Sequence, residues 1–219
     1  MQITVNGTQL YYAQRGRGPA FILLHGNGED HTLFSDLITR LADHFTVYAL
    51  DSRGHGQSQA NVALSYELMT ADLSDFIQQL HLEQPTILGF SDGGIVALML
   101  AIAHPKQVGR LILAGTNLSP RGLKWTANLG FYVAYFLRHN PQLKMMFNAP
   151  HINPADLKTI HVPTLVLAGS RDLITARETQ RIATGIPGAR VHILPGETHG
   201  SYIKNNAKLY AAIAPFIGL

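Results

Sequence analysis

The chain of 219 residues contains no cysteine, which excludes a disulfide framework, a thiolate nucleophile and any cysteine-ligated metal. Charge is scarce as well. Asp, Glu, Lys and Arg make up 14% against 46% hydrophobic residues, a balance that excludes a disordered chain and marks a well-buried globular one. The net charge of +3 comes from basic residues scattered along the sequence. No run of them could neutralise a row of phosphates, so nucleic acid is not an expected partner. Long hydrophobic runs are missing too: the longest, Ile95 to Ala103, is half of the roughly 18 residues that a membrane-spanning helix needs. Met1 to Leu10 has neither the basic nor the apolar segment of an export signal, so no membrane insertion and a cytoplasmic location are expected. There is no His-x-His or His-Glu-x-x-His cluster, and no metal is expected.

What is present is an alternation of short apolar runs. Ile3, Val5, Leu10 and Tyr12 alternate with polar neighbours around Asn6-Gly7, a dipeptide suited to the positive φ angles of a tight hairpin. Strand-length apolar runs follow at Phe21 to Leu24, Phe45 to Leu50, Thr86 to Leu88, Val108 to Ala114, Thr164 to Ala168 and Arg190 to Leu194. Between them the period turns helical, most clearly where Tyr66, Met69, Leu73, Phe76, Ile77 and Leu80 share one helical face. Strands alternating with helices predict an α/β domain with a mostly parallel sheet covered on both faces, opened by a β-hairpin. The alternation breaks between residues 117 and 157, where Trp125, Phe131, Tyr132, Tyr135, Phe136 and Phe147 crowd together. This segment is read as a short helical lid within a single domain covering residues 1–219.

Gly89-Phe90-Ser91-Asp92-Gly93 has the form G-x-S-x-G and joins the end of an apolar strand to an apolar helix. In that setting the turn strains the serine backbone so that Oγ projects above the sheet, and the glycines remove Cβ atoms that would collide there. Ser91 also stands at a helix N-terminus, which favours developing negative charge. His25-Gly26-Asn27-Gly28 follows an earlier strand, and a glycine-rich turn there can present a free N–H. The backbone N–H groups of Asn27 and Asp92 are the candidate oxyanion donors. His25 itself is read as a hydrogen-bonded brace.

A serine hydroxyl needs an imidazole to take its proton, and the imidazole needs an acceptor on its other nitrogen. A fold that carries its serine on a strand–turn–helix elbow of this kind presents such residues on loops past strand ends, in the chain order serine, acid, histidine. Of eleven histidines, five precede Ser91, His104 closes the following helix, His139 and His151 fall in the lid segment, and His161 and His192 flank or enter strands. His199 remains, just past the last strand. Asp172 lies past the strand Thr164 to Ala168, while Asp51, Asp72 and Asp75 precede the serine and Asp156 sits in the lid segment.

With these residues assigned, the sequence resembles the α/β-hydrolase superfamily. The likeness is carried in order by His25 to Gly28, Asp51-Ser52-Arg53-Gly54-His55-Gly56-Gln57-Ser58, Gly89 to Gly94, Gly169 to Asp172 and Thr198-His199-Gly200. It implies a serine esterase-like enzyme acting on a small acyl substrate without a cofactor, with residues 51 to 58 as a structural loop. Haloalkane dehalogenases and epoxide hydrolases are similar in fold but carry an aspartate where this chain has Ser91. The Ser-Asp-Gly-Gly elbow is similar to that of valacyclovirase-type hydrolases, which implies that Asp92 can pair with a substrate amino group. Trp125 is a further candidate substrate contact. Thioesters, amides and C–C substrates stay open, as does oligomeric state. Some proteins similar to this one keep the three residues yet act as slow-turnover ligand receptors, and that alternative also stays open.

Overall fold

The structure is a computed structural model that describes residues 1–219, the side chain of Arg138 excepted. Its strands are β1 (Gln2–Val5), β2 (Thr8–Arg15), β3 (Ala20–Leu24), β4 (Thr46–Leu50), β5 (Thr86–Phe90), β6 (Arg110–Ala114), β7 (Thr164–Gly169) and β8 (Arg190–Leu194). They form one sheet in the order β1-β2-β4-β3-β5-β6-β7-β8. Asn6 and Gly7 take φ of 45° and 70° in the turn of the opening hairpin. β2 runs antiparallel to β1 and β4, and every later pairing is parallel. β5 lies between β3 and β6, so the loops after these strands meet at one edge of the sheet.

The parallel strands send alternate residues into two cores, as their period of two requires. Ile22, Leu24, Ile87, Leu111, Leu113 and Val166 face one core. It is covered by α2 (Tyr66–Gln79), α3 (Asp92–Ala103) and α6 (Ala176–Gly185). Phe21, Leu23, Leu88, Phe90, Ile112 and Leu167 face the other, under α1 (Ser35–Leu41), α7 (Ser201–Lys204) and α8 (Asn206–Ile217). Helix α3 is apolar on nearly every side because nearly every side is buried. Only Leu194 of β8 is buried, so this edge strand departs from the expectation of cover on both faces. Some strand ends differ by one or two residues from the sequence reading: β5 extends to Phe90 and β6 starts at Arg110.

Between β6 and β7, in the segment read as a lid, lie α4 (Trp125–Arg138), α5 (Pro141–Asn148) and a 3₁₀ turn (Pro154–Thr159). The Phe147 ring packs on Tyr132 and Tyr135 at 5.6 and 5.8 Å, which joins α5 to α4.

The turn from β5 into α3 holds a non-glycine residue at positive φ. Ser91 has φ 53° and ψ −115°, a conformation costing a residue with a Cβ about 1–3 kcal/mol. It is held by Ser91 N–H donating to Ala114 O at 2.8 Å and by Ile95 N–H donating to Ser91 O at 3.1 Å. A Cβ on Gly89 would stand 2.2 Å from Gly93 O, and one on Gly93 would stand 2.3 Å from Leu24 O. Neither position accepts a side chain without moving backbone.

The loop from Asp51 to Ser58 is tied down by buried polar bonds. Arg53 donates to both carboxylate oxygens of Asp72 at 2.6 and 2.5 Å, and both residues are buried. Asp51 accepts from the His31 and Gln57 N–H groups at 2.7 and 2.8 Å.

Two stability measurements test these readings. Arg53→Ala leaves Asp72 buried without its partner and is expected to cost about 3–5 kcal/mol in denaturant unfolding. A loss under about 1 kcal/mol would mean that the pair does not hold the loop. Ser91→Gly is expected to be more stable than Ser91→Ala by about 1 kcal/mol, because glycine accepts the positive φ. Equal stability of the two variants would remove the case for strain at the turn.

Candidate active site

The structure brings Ser91, Asp172 and His199 from three separate loops into one hydrogen-bonded chain. His199 Nε2 lies 3.1 Å from Ser91 Oγ, and His199 Nδ1 lies 2.7 Å from Asp172 Oδ1. With Nδ1–H donating to the Asp172 carboxylate, Nε2 carries no proton and is free to accept from the hydroxyl. Asp172 is held in turn by its own loop: Oδ1 accepts from Ile174 N–H at 2.9 Å and Oδ2 from Gly169 N–H at 3.2 Å. Burial pushes the Asp172 carboxyl up, but the His199 hydrogen bond, the His199 charge and the Ile174 and Gly169 N–H groups outweigh it. The group stays below the usual carboxylate range. His199 packs on Phe90, with ring centroids 4.9 Å apart.

At the N-terminus of α3, Asp92 N–H has no earlier carbonyl within reach of the helix pattern. Gly26 N–H is taken by Glu29 Oε2 at 3.1 Å. The backbone N–H groups of Asn27 and Asp92 have no acceptor among the hydrogen bonds of the described residues. The side chains of the same two residues are joined. Asn27 Nδ2 donates to Asp92 Oδ2 at 2.9 Å and to the Gln142 carbonyl at 3.2 Å, while the Tyr66 hydroxyl donates to Asp92 Oδ1 at 2.9 Å. Asp92 is only 5% exposed, so a substrate amino group would have to share a carboxylate with two donors already in place. Burial raises its carboxyl, against the pull of Asn27 and Tyr66.

Trp125 opens α4 with 75% of its surface exposed. Its neighbours Lys124, Thr126 and Ala127, together with Asp172, His199 and Arg171, line a recess of about 410 Å³ that does not include Trp125 itself. His25 serves its loop: Nδ1–H donates to Gly26 O at 2.7 Å and Nε2 accepts from Ser52 N–H at 3.0 Å, and burial lowers its pKa to about 4. Two residues near the site carry no motif. Glu29, half-buried beside Gly26, has its carboxyl raised by burial and pulled back by the Gly26 N–H and by His199. Tyr66 reads in the sequence as one more position on an apolar helix face. Its ring is in the core as that pattern requires, but its hydroxyl reaches Asp92. A tyrosine at the helix start in place of phenylalanine is the only signal the sequence offers.

Known proteins place this arrangement in context. Residues 19–154 match the family model described as alpha/beta hydrolase fold. The match includes Asn27, Ser91 and Asp92 and stops before Asp172. An uncharacterized protein of Mycobacterium bovis is 37% identical over 132 residues, 60% of this chain and 38% of that relative. The chain thus spans well under half the length of that relative. Serine hydrolase BPHL of Homo sapiens is 27% identical over 93% of this chain and 81% of its own. In structure the chain resembles an esterase from Exiguobacterium antarcticum (TM-score 0.87, 21% identity, 100% of this chain and 99% of that one). It also resembles an enol-lactonase from Burkholderia xenovorans LB400 (TM-score 0.82, 23% identity, all of both chains). At these identities the structural likeness carries the fold alone. With a family match over more than half its length, on a sheet of the same architecture, the chain belongs to the alpha/beta hydrolase fold family.

Proposed function

We propose that the protein is a serine hydrolase that cleaves small carboxylic esters. Ser91 is the nucleophile, His199 the general base and then acid, and Asp172 the group that orients and charge-stabilises the imidazole. The observation that carries this reading is the pair of bonds made by one ring, 3.1 Å from Nε2 to Ser91 Oγ and 2.7 Å from Nδ1 to Asp172 Oδ1. Membership of a hydrolase family and the name of the human relative, a serine hydrolase, support the same chemistry.

His199 takes the Ser91 proton as Oγ attacks the ester carbonyl carbon. The carbonyl oxygen becomes negative and is received by the N–H groups of Asn27 and Asp92, each such donor being worth about 10²- to 10³-fold in rate. The intermediate collapses, the C–O bond to the alcohol breaks, and His199 returns the proton to the departing alkoxide. Water then repeats the sequence on the acyl-enzyme and frees the carboxylic acid, with the proton restored to Ser91.

A fluorophosphonate probe followed by peptide mass mapping is expected to modify Ser91 in the wild type and nothing in Ser91→Ala. On p-nitrophenyl acetate, Ser91→Ala or His199→Ala is expected to lower kcat by several orders of magnitude, up to on the order of 10⁶. Asp172→Asn keeps the shape but reverses the acceptor and is expected to cost about 10³- to 10⁴-fold. Modification at another residue, or Ser91→Ala retaining wild-type turnover, would refute the reading. Binding of a ligand with no hydrolysis above the Ser91→Ala control would turn it toward a receptor.

A further inference from the structure

We propose that the Asp92 side chain is a positioning residue for the oxyanion donors: by holding Asn27 and Tyr66 it fixes the backbone N–H groups of Asn27 and Asp92 relative to each other. This rests on the reading of Ser91 as the nucleophile. It gives Asp92 a role that requires no contact with substrate.

The two donors come from different kinds of structure. The Asp92 N–H belongs to α3, a twelve-residue helix buried in the core. The Asn27 N–H belongs to a loop after β3, and oxyanion donors work only when held to within about 0.5 Å of a position roughly 2.7–3.1 Å from the developing charge. The structure joins them through side chains. Asn27 Nδ2 gives one hydrogen to Asp92 Oδ2 at 2.9 Å and the other to the Gln142 carbonyl at 3.2 Å, so its donor capacity is spent. Tyr66, 1% exposed at the first residue of α2, donates to the other carboxylate oxygen at 2.9 Å. The carboxylate thus ties α2, α3 and the β3 loop together, while Gln142 of α5 adds the lid segment and anchors itself through Nε2 to Gly54 O at 2.9 Å.

The bonding pattern also sets what each substitution does. An amide in place of the Asp92 carboxylate can still accept from Tyr66, but then turns its NH₂ toward the NH₂ of Asn27. Exchanging the two residues restores one donor facing one acceptor and keeps an oxygen for Tyr66, at the cost of turning a carboxylate oxygen toward the Gln142 carbonyl that Asn27 Nδ2 served. A group that merely filled space would not discriminate between these cases, and a group that bound a substrate ammonium would matter only for amino-bearing esters.

The test measures kcat and KM on a neutral acyl ester and its α-amino analogue for Asp92→Asn, Tyr66→Phe and the exchanged pair N27D/D92N, with melting temperatures alongside. By analogy with loss of an oxyanion donor, Asp92→Asn is expected to lower kcat about 10- to 100-fold on both esters. KM should change little, and Tyr66→Phe should act in the same direction more weakly. The N27D/D92N pair is expected to recover part of the lost kcat, short of the wild type because the bond to the Gln142 carbonyl is lost. Unchanged kcat in Asp92→Asn, a loss confined to the amino ester and expressed in KM, or an exchanged pair no better than Asp92→Asn would each overturn the proposal. If Asp92→Asn does not fold, Tyr66→Phe and the exchanged pair decide. Fluorophosphonate modification of Ser91 in the wild type separates the two claims: its absence sinks the nucleophile itself, whereas its presence with normal turnover in Asp92→Asn sinks only the positioning role.

Discussion

One imidazole, bonded on both sides, is what the rest of the structure serves. His199 reaches Ser91 with one nitrogen and Asp172 with the other, and a hydroxyl is a competent nucleophile only while that bridge is intact. Neither partner holds its place by itself. Ser91 stands in a positive-φ conformation that survives because β5, β6 and α3 fix the backbone on both sides of it. Asp172 is kept by two N–H groups of its own turn, which also keep its charge where the ring needs it. The strain at residue 91 and the burial of the carboxylate at 172 are both costs. The buried sheet and helices of the two cores offset them.

The same separation of roles runs through the other polar residues near the sheet edge. His25 is buried, bonded at both nitrogens and held neutral, so it braces a loop. Arg53 and Asp72 form an ion pair whose worth is to fix the loop after β4 against α2. Asp92 follows the same pattern. Its carboxylate lies beside Ser91 in sequence, yet it is spent on two protein donors, which is why we propose a positioning role for it.

Much of this was legible in the residues. The hairpin at Asn6-Gly7, the strand runs from Phe21 onward and the apolar face of α2 follow from periods of two and 3.6 with turn residues between them, and all stand in the structure. The motif at Gly89 to Gly93 could be placed because an apolar strand enters it and an apolar helix leaves it, and the order of the later strands led to Asp172 and His199. What could not be read depends on three-dimensional neighbours. α1 and α8 pack on each other across most of the chain length, and nothing local in either sequence announces the partner. The hydroxyl of Tyr66 finds Asp92 only once α2 and α3 lie side by side. Glu29 shows no pattern, since its significance comes from standing next to Gly26 and His199. Trp125 stands in the sequence as one aromatic among several between residues 117 and 157, and composition carries no sign of its exposure at the start of α4.

The most direct test is a crystal structure of the protein after reaction with a small alkyl fluorophosphonate, whose phosphoryl oxygen stands in for the oxyanion. Phosphorus is expected on Ser91 Oγ, with His199 still bonded to Asp172 and the phosphoryl oxygen about 2.7–3.1 Å from the N–H groups of Asn27 and Asp92. An adduct on any other residue, or a phosphoryl oxygen turned away from both N–H groups, would contradict it.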